Sequence, residues 1–297
     1  MIFQFIEVHR HEFPVSRMCG VLEVSRSGYY AQRERSISPR KMADSELLGK
    51  IETVYAHSAG AYGSPRIYQA LRAGHVVCSA KRVARLMRMH GLKAKGVKPR
   101  RVRCETKEPQ PVPNLLQRDF SATRPDNKWV SDMTYIRTKQ GWLYLAVVLD
   151  LWSRRVVGWS MSARMTSDLP ESALKMALLQ RRPGAGLVHH SDQGSQYRSA
   201  SYQKILKEYQ IRVSMNGAGA WSDNAPIESF FATLKRECVA DTVYSTRAEA
   251  RTALFAYIEA FYNRVRLHSS LGYQSPESFE FGRAVASYTL GSVHENG

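Results

Sequence analysis

Residues 128–138, KWVSDMTYIRT, decide the fold of this chain. Apolar and polar side chains alternate along the stretch, and such alternation indicates a half-buried β-strand. After a turn at 139–141 come WLYLAVVLDLW (142–152) and, two residues later, RVVGWSMS (155–162). Three strand patterns joined by short connections predict an antiparallel meander.

Downstream of the meander, helical and strand patterns alternate. The remaining predicted elements are a helix at 168–180, a strand at 187–192, a helix at 199–209, a strand at 211–215, and helices at about 225–239 and 247–264. The order of three strands, helix, strand, helix, strand is that of a ribonuclease H-like fold. We therefore predict an α/β catalytic core with a mixed five-stranded sheet and flanking helices.

Residues 105–120, ETKEPQPVPNLLQRDF, separate this core from the first third of the chain. Pro109, Pro111 and Pro113 alternate with other residues, and prolines at this density favour an extended, semi-rigid connector. We interpret the stretch as a linker between domains.

Helical patterns dominate the region before the linker. Residues 14–36 contain two short patterns, broken at Gly20 and again at Ser27-Gly28, and they predict a small helix-turn-helix.

A second helical block covers residues 42–92. Pro65 suits the first position of a helix that ends at Gly74. Ser79 is the predicted N-cap of another helix, which stops at Gly91. Small all-α modules of the helix-turn-helix type are therefore expected before the core.

The predicted organisation has five segments. They are an N-terminal helical segment with a possible helix-turn-helix (1–50), a helical basic DNA-binding domain (51–104), the Pro-rich linker (105–120), the ribonuclease H-like core with C-terminal helices (121–285) and a tail (286–297).

The charge of the chain is strongly positive and unevenly distributed. The net charge is +17, and residues 1–120 hold 22 Lys and Arg against 10 Asp and Glu. No acid occurs from Lys81 to Arg103. A basic helix followed by a basic arm is typical of a major-groove reader with phosphate contacts. The predicted DNA-binding residues of this region are Lys81, Arg82, Arg85, Arg88, Lys93 and Lys95.

Membrane insertion and secretion are not indicated. No run of about 18 apolar residues occurs, and an acid interrupts the amino terminus too early for a signal peptide. The four cysteines form no CxxC pair, so neither a zinc site nor a disulfide framework is expected. We expect a cytoplasmic protein.

Three acids are embedded in apolar sequence where the predicted fold can bring them together. Asp132 lies inside the first strand, Asp192 follows the fourth, and Glu228 opens a helix. Crowded carboxylates repel each other unless they bind cations, and an all-oxygen set suits Mg²⁺ or Mn²⁺. We predict that this triad is catalytic, binds the metal, and holds two ions.

Other side chains compete for a place in this site. Asp150 ends the second strand, and we interpret it as structural or as an outer neighbour of the metals. Asp223 is a rival third carboxylate, although it precedes the helix. His189 and His190 lie in one strand with opposite facings, so we expect one to face the core and one to have polar neighbours.

The spacing of these residues adds a resemblance to a known family. Asp192 and Glu228 have 35 residues between them, and Lys235 lies seven beyond Glu228. The chain resembles OrfB-type transposases of the IS3 insertion-element family, in the superfamily of DDE transposases and retroviral integrases. The matching stretches are CGVLEVSRSGYY, YGSPRIYQAL, KRVARLMRMHGLKAK, WVSDMTYI, VVLDLWSRRVVGW, HHSDQGSQY, SDNAPIESFFATLKRE and YNRVRLHSSLGYQSPESF.

The resemblance implies recognition of terminal inverted repeats in duplex DNA, donor-strand cleavage and attack of the freed 3′ hydroxyl on target DNA. It also implies an upstream OrfA partner, to which members of this family are usually fused by frameshifting, and a homo-oligomer on DNA in the bacterial nucleoid. Lys235 is expected to hold the reacting strand. Arg236 and Glu237, which follow it, are expected to be ordinary surface charges.

Three other functions remain to be separated. A DNA-binding regulator would use the second domain only for dimerisation, and a structure-selective nuclease would cleave without joining. A tyrosine recombinase is suggested superficially by residues crowded near the last predicted helix, which are Arg264, Arg266, His268 and Tyr273.

Overall fold

A five-stranded mixed sheet organises the second half of the chain. The computed structural model describes residues 2–33, 38–96, 112–216, 224–240 and 242–291, with side chains to 283. The strands are β1 (Lys128–Thr138), β2 (Gly141–Asp150), β3 (Val156–Ser162), β4 (Val188–Ser191) and β5 (Arg212–Met215). Their order is β3-β2-β1-β4-β5. The predicted meander and mixed sheet are confirmed, because β1 to β3 pair antiparallel and β1, β4 and β5 pair parallel.

Helices cover both faces of this sheet. On one face lie α7 (Asp168–Arg181) and α8 (Ala200–Glu208), whose apolar residues pack against Trp129 and Val148. Packing between α7 and β3 is close at Gly158, where an added Cβ would lie 2.2 Å from the carbonyl oxygen of Ala173. Only glycine fits such a contact.

The other face is covered by two longer helical runs. The first is α9 (Ala225–Leu234), which continues as a π-helical turn over Lys235–Val239. The second is α10 (Arg247–Phe255), which continues in the same way over Ala256–Tyr262. Both match the predicted helices to within two residues. A 3₁₀ turn (Ser269–Leu271) and α11 (Pro276–Gly291) follow, and α11 runs across the predicted border at 285/286.

Three short helices form the amino-terminal segment. They are α1 (Ile2–His9), α2 (Val15–Val21) and α3 (Arg26–Arg33), which enclose Ile6, Met18, Cys19 and Tyr29. The predicted breaks were wrong, because Gly20 lies inside α2 and Ser27-Gly28 lie inside α3. The chain turns instead at Glu23, which has a positive φ of 53°, and the Ser25 hydroxyl accepts from the Gly28 N–H at 3.0 Å.

A second helical module consists of α4 (Pro39–His57), α5 (Ser64–Ala73) and α6 (Ala80–Met89). Its core is one apolar cluster that contains Leu47, Ile67 and Leu86. The predicted caps are confirmed, since Pro65 lies in the first turn of α5 and the Ser79 hydroxyl accepts from the Arg82 N–H. The predicted border at 50/51 falls inside α4, so this module begins near residue 38.

The predicted linker is described from residue 112 onward. There Leu116 is buried with the sheet cluster, the Leu115 N–H donates to the Ser214 hydroxyl at 2.9 Å, and the Met215 N–H donates to the Pro113 carbonyl. The second half of the stretch therefore packs as part of the core.

Within the described ranges, no helix combines the length and apolarity needed to span a bilayer. Cys19, Cys78 and Cys238 are free thiols there. Cys104 lies outside the described residues.

Candidate active site

The first two predicted acids follow one pair of strand neighbours: Asp132 lies within β1, and Asp192 comes one residue after the end of the parallel strand β4. β1 and β4 run parallel with Ser131 opposite Ser191, so Asp132 and Asp192 are the next residues along the two strands. Parallel strands are about 4.8 Å apart. The sheet itself therefore brings these two carboxylates together.

Burial and mutual repulsion act on Asp132. Its pKa is raised to about 7, first by burial and then by the negative charge of Asp192, and Glu228 contributes a smaller effect of the same sign. The Met133 N–H, 2.7 Å from the Asp132 Oδ1, opposes this rise. Asp132 therefore experiences the charge of both other acids, that of Asp192 more strongly than that of Glu228.

Asp192 begins a tight turn after β4. Its Oδ1 accepts from the Gly194 N–H at 2.9 Å. A Cβ at Gly194 would lie 2.9 Å from that same oxygen, so a larger residue would displace the carboxylate. Burial raises the pKa of Asp192, against the effect of the Gly194 N–H.

Glu228 lies in the first turn of α9 and is exposed. Partial burial raises its pKa. Among the residues that the structure describes, no three His, Cys, Asp or Glu side chains meet closely enough to hold a metal ion. Asp132, Asp192 and Glu228 therefore do not converge on one point in this structure.

Lys235 supplies a positive charge at this site. Its ammonium group lies 5.1 Å from the ring centroid of Tyr135, and the charges of Lys235 and Asp132 attract each other. Burial lowers the Lys235 pKa. The prediction that Glu237 is an ordinary surface charge was wrong, because Glu237 is buried and paired with Arg266.

Asn224 is a site residue that sequence reasoning missed. It is the N-cap of α9 and is 3% exposed. Its Nδ2 donates to the Ser131 carbonyl at 3.4 Å. Its Oδ1 is buried without a hydrogen-bond partner among the described residues. The polar cap position before an apolar helix was the available signal.

The competing acid Asp150 is structural. Its carboxylate accepts from the backbone N–H groups of Asp126, Trp152 and Ser153 at 2.7, 2.6 and 3.2 Å. It therefore fastens the turn between β2 and β3, although burial raises its pKa to about 6. The other rival, Asp223, lies outside the described residues.

The two histidines of β4 have the predicted environments. His189 contacts the Tyr202 hydroxyl at 3.0 Å inside the core, and burial lowers its pKa to about 3. His190 has polar neighbours, the Ser214 hydroxyl at 2.7 Å and the Asn216 Oδ1 at 2.6 Å. Both imidazole rings therefore make hydrogen-bond contacts with other side chains of the core.

The predicted basic helix is α6, and two of its arginines are already paired. Arg82 Nε and Arg85 Nη2 each lie 2.6 Å from a different oxygen of Asp44 on α4. Lys81, Arg88 and Lys93 are exposed. Lys95 Nζ lies 3.5 Å from the Glu237 carbonyl. Residues 97–103 of the basic arm lie outside the described residues.

The set that resembled a tyrosine recombinase does not form one site of that kind. Arg266 is buried in a bidentate ion pair with Glu237. His268 has its pKa lowered to about 3 by burial and by the charge of Arg266.

This fold and site define a class. A β3-β2-β1-β4-β5 sheet, with one aspartate in β1, another just after β4 and a glutamate at the start of α9, is an integrase-type polynucleotidyl transferase core. Family models agree: "Integrase core domain" models match residues 122–220 and 228–282, and an "HTH-like domain" matches 42–101.

Relatives identify the particular family. The Transposase InsF for insertion sequence IS3A from Escherichia coli (strain K12) is 44% identical over 94% of this chain and 98% of its own. The Insertion element IS600 uncharacterized 31 kDa protein from Shigella sonnei is 41% identical over 88% of this chain and 97% of its own. The chain belongs to the IS3 family of insertion-sequence transposases. It is a DNA transposase of the DDE type, so the resemblance inferred from the sequence is confirmed.

Solved structures with partial similarity include a retroviral enzyme. The HTLV-2 integrase catalytic core domain in complex with magnesium has 18% identity and a TM-score of 0.40, and the match covers 52% of this chain and 97% of that domain.

Proposed function

We propose that this transposase cleaves the ends of its insertion element and joins the 3′ hydroxyl to DNA through Asp132, Asp192 and Glu228. The observation that carries the proposal is the pair formed by Asp132, within β1, and Asp192, one residue after the parallel strand β4, with the pKa of Asp132 raised to about 7 by burial and by its partner. Such a pair is unfavourable unless a cation binds to it.

The donor set fits Mg²⁺ or Mn²⁺, which prefer carboxylate oxygens and retain open positions. Asp132 and Asp192 would hold two such ions together with Glu228, which must move inward from the exposed start of α9. The buried Oδ1 of Asn224, which lacks a donor among the described residues, adds one more oxygen near the site. When bound, the ions would stabilise the negative charge that develops during phosphoryl transfer.

The protein's own side chains orient the reaction. Lys235, on the Glu228 side of the helix and beside Asp132, would hold a phosphate of the reacting strand. The hydrogen bond from Asn224 to the Ser131 carbonyl ties the start of α9 to β1. It thereby holds the backbone at the start of α9 next to β1, and the Glu228 side chain is left to move inward.

The helical modules would bind the terminal inverted repeats in duplex DNA. Lys81, Arg88 and Lys93 are exposed for phosphate contacts, whereas Arg82 and Arg85 share Asp44. An upstream OrfA product, alone or as a frameshift fusion, would supply further sequence specificity. A homo-oligomer on the two element ends, in the cytoplasm at the nucleoid, would bring both ends to one target.

The test is a cleavage and joining assay on a plasmid that carries both ends of the element. Purified chain, with and without the OrfA product, is incubated with Mg²⁺ or Mn²⁺. Asp132→Asn, Asp192→Asn and Glu228→Gln should each abolish cleavage and joining while leaving DNA affinity intact. Full strand transfer by any of these variants would remove that residue from the site, and cleavage without joining would favour a nuclease.

A further inference from the structure

A second polar cleft lies between the helical module and the core, on a side of α9 next to Glu228. This cleft, called the arginine cleft below, has a volume of about 530 Å³. Its lining includes four arginines and a histidine, which are Arg66, Arg154, Arg236, Arg266 and His268. A neighbouring cleft of about 480 Å³ shares Arg66, Arg236 and Ser269 and adds Lys95. The two therefore form one basic groove.

Four separate stretches of sequence build this groove. Arg66 comes from YGSPRIYQAL, Arg154 from VVLDLWSRRVVGW, Arg236 from SDNAPIESFFATLKRE, and Arg266 from YNRVRLHSSLGYQSPESF. The first and last are about 200 residues apart and meet directly. The Tyr62 hydroxyl donates to the Val265 carbonyl at 3.1 Å, the Leu267 N–H donates to the Tyr62 hydroxyl at 3.0 Å, and Arg66 Nε donates to the Leu267 carbonyl at 3.0 Å.

The cations of the arginine cleft exceed its anions. No Asp or Glu occurs among the described residues that line either cleft. Glu237 lies behind them; both of its oxygens are bound by Arg266, and Arg236 Nη2 lies 3.7 Å from one of them. The guanidinium of Arg154 forms no hydrogen bond or ion pair within the described ranges. Burial and the charge of Arg266 lower the pKa of Arg66. Like charges held this close favour an anionic ligand.

The lining also offers neutral donors. The amino-terminal ends of α5, at Gly63 and Pro65, and of α9, at Ala225 and Pro226, border the groove. Helix amino termini favour anions. Hydroxyl groups of Ser229, Thr233 and Ser270 face the same space. Guanidinium groups, hydroxyls and helix amino termini are the contacts that proteins use for DNA phosphates.

The position on α9 connects the cleft to the acids. Ser229, Ala232, Thr233 and Arg236 follow the i, i+3, i+4, i+7 spacing of one helix face. Glu228 precedes Ser229 by one residue, about 100° around the helix. The cleft therefore borders the first turn of α9, from which Glu228 also projects.

We propose that the arginine cleft binds the phosphate backbone of the DNA strand that enters the carboxylate site, with Arg66, Arg154 and Arg236 as phosphate ligands. Arg66 would link DNA binding by the helical module to placement of the strand in the core. The inference rests on the proposed function, since it takes the same DNA as substrate.

The test compares two double variants of the full chain in binding a fluorescein-labelled duplex. Arg154→Gln/Arg236→Gln removes two cleft charges, and Lys207→Gln/Arg212→Gln removes two exposed charges from α8 and β5. The slope of log affinity against log salt is negative, and it becomes shallower by about 0.9 for each phosphate that the protein no longer neutralises. The cleft variant should lose about two units of slope and bind about tenfold or more weakly, while the control variant should match the wild type.

Two further measurements keep the outcome decisive. Arg154→Lys/Arg236→Lys keeps both charges and should retain the wild-type slope. In the unmodified chain, DNA should protect Arg154 and Arg236, but not Arg212, from phenylglyoxal, as read by mass spectrometry. A wild-type slope in the Gln double variant, or equal modification with and without DNA, would overturn the proposal. Binding needs no chemistry, so the same measurements in an Asp192→Asn background separate this outcome from a failure of the catalytic triad.

Discussion

Two glutamates nine positions apart on one helical run have opposite surroundings. Glu237 is buried, and its two carboxylate oxygens receive Arg266 twice and the Tyr257 hydroxyl once, each at 2.8 Å. Glu228 is exposed, next to two half-buried aspartates, and has no hydrogen bond or ion pair within the described residues. A carboxylate saturated by its own fold stabilises that fold. A group of carboxylates that repel each other is kept for a ligand from outside.

The comparison predicts its largest effect on stability. Glu237→Ala should lower the free energy of unfolding by about 3–5 kcal/mol, because Arg266 would remain buried without its partner. Glu228→Ala should change it by less than about 0.5 kcal/mol. Urea unfolding followed by tryptophan fluorescence measures both. The double variant Glu237→Ala/Arg266→Met should recover part of the loss, and equal losses for Glu237→Ala and Glu228→Ala would contradict the distinction.

The acidic site should in turn be stabilised by metal. Mn²⁺ at about 100 times its dissociation constant should raise the free energy of unfolding by about 2.7 kcal/mol. Asp132→Asn and Asp192→Asn should abolish this increase, whereas Asp168→Asn, an exposed acid of α7, should keep it. Thermal unfolding with and without Mn²⁺ provides the measurement. An undiminished increase in the Asp132→Asn variant would show that the metal binds elsewhere.

Lys235 tests whether the positive charge beside the acids acts on DNA. Lys235→Ala should slow cleavage and joining at least tenfold, which is about 1.4 kcal/mol of barrier, and Lys235→Arg should recover part of the rate because either cation can meet a phosphate. Lys175→Ala, an exposed lysine of α7, is the control. Rates of Lys235→Ala within about threefold of wild type would assign Lys235 to the surface.

Local signals in the sequence predicted most of the core. Alternation of apolar residues located β1, and a hydroxyl cap marked the helix start at Ser79, which accepts from the Arg82 N–H as expected. The same predicted elements located the three acids, because Asp132 lies inside a strand, Asp192 follows a strand and Glu228 lies at the start of a helix. The catalytic and metal-binding roles of the three acids stay a prediction.

Contacts between residues that are far apart in the sequence could not be predicted from such local signals. Glu237 looked like a surface charge because its partner, Arg266, is 29 residues away in sequence. The arginine cleft depends on contacts between residues about 200 positions apart. At Gly20 the prediction followed the low helix propensity of glycine, but burial of Met18 and Cys19 kept the helix intact. In each case packing in three dimensions decided what local pattern could not.

The smallest predicted effect concerns the basic helix α6, where the same contrast between paired and unpaired charges recurs. Asp44 already binds Arg82 and Arg85, each at 2.6 Å, while Lys81 and Arg88 are exposed. Lys81→Gln/Arg88→Gln should therefore flatten the salt dependence of duplex binding by about one to two units, one for each phosphate that is no longer neutralised. Arg82→Gln/Arg85→Gln should change it by less than about one unit, because this change also frees the negative charge of Asp44. Fluorescence anisotropy across a salt series compares the two variants. If the Arg82/Arg85 variant shows the larger decrease in slope, the ion pairs with Asp44 open on DNA and these two arginines are the phosphate ligands. If neither variant changes the slope, α6 is only a solvated surface.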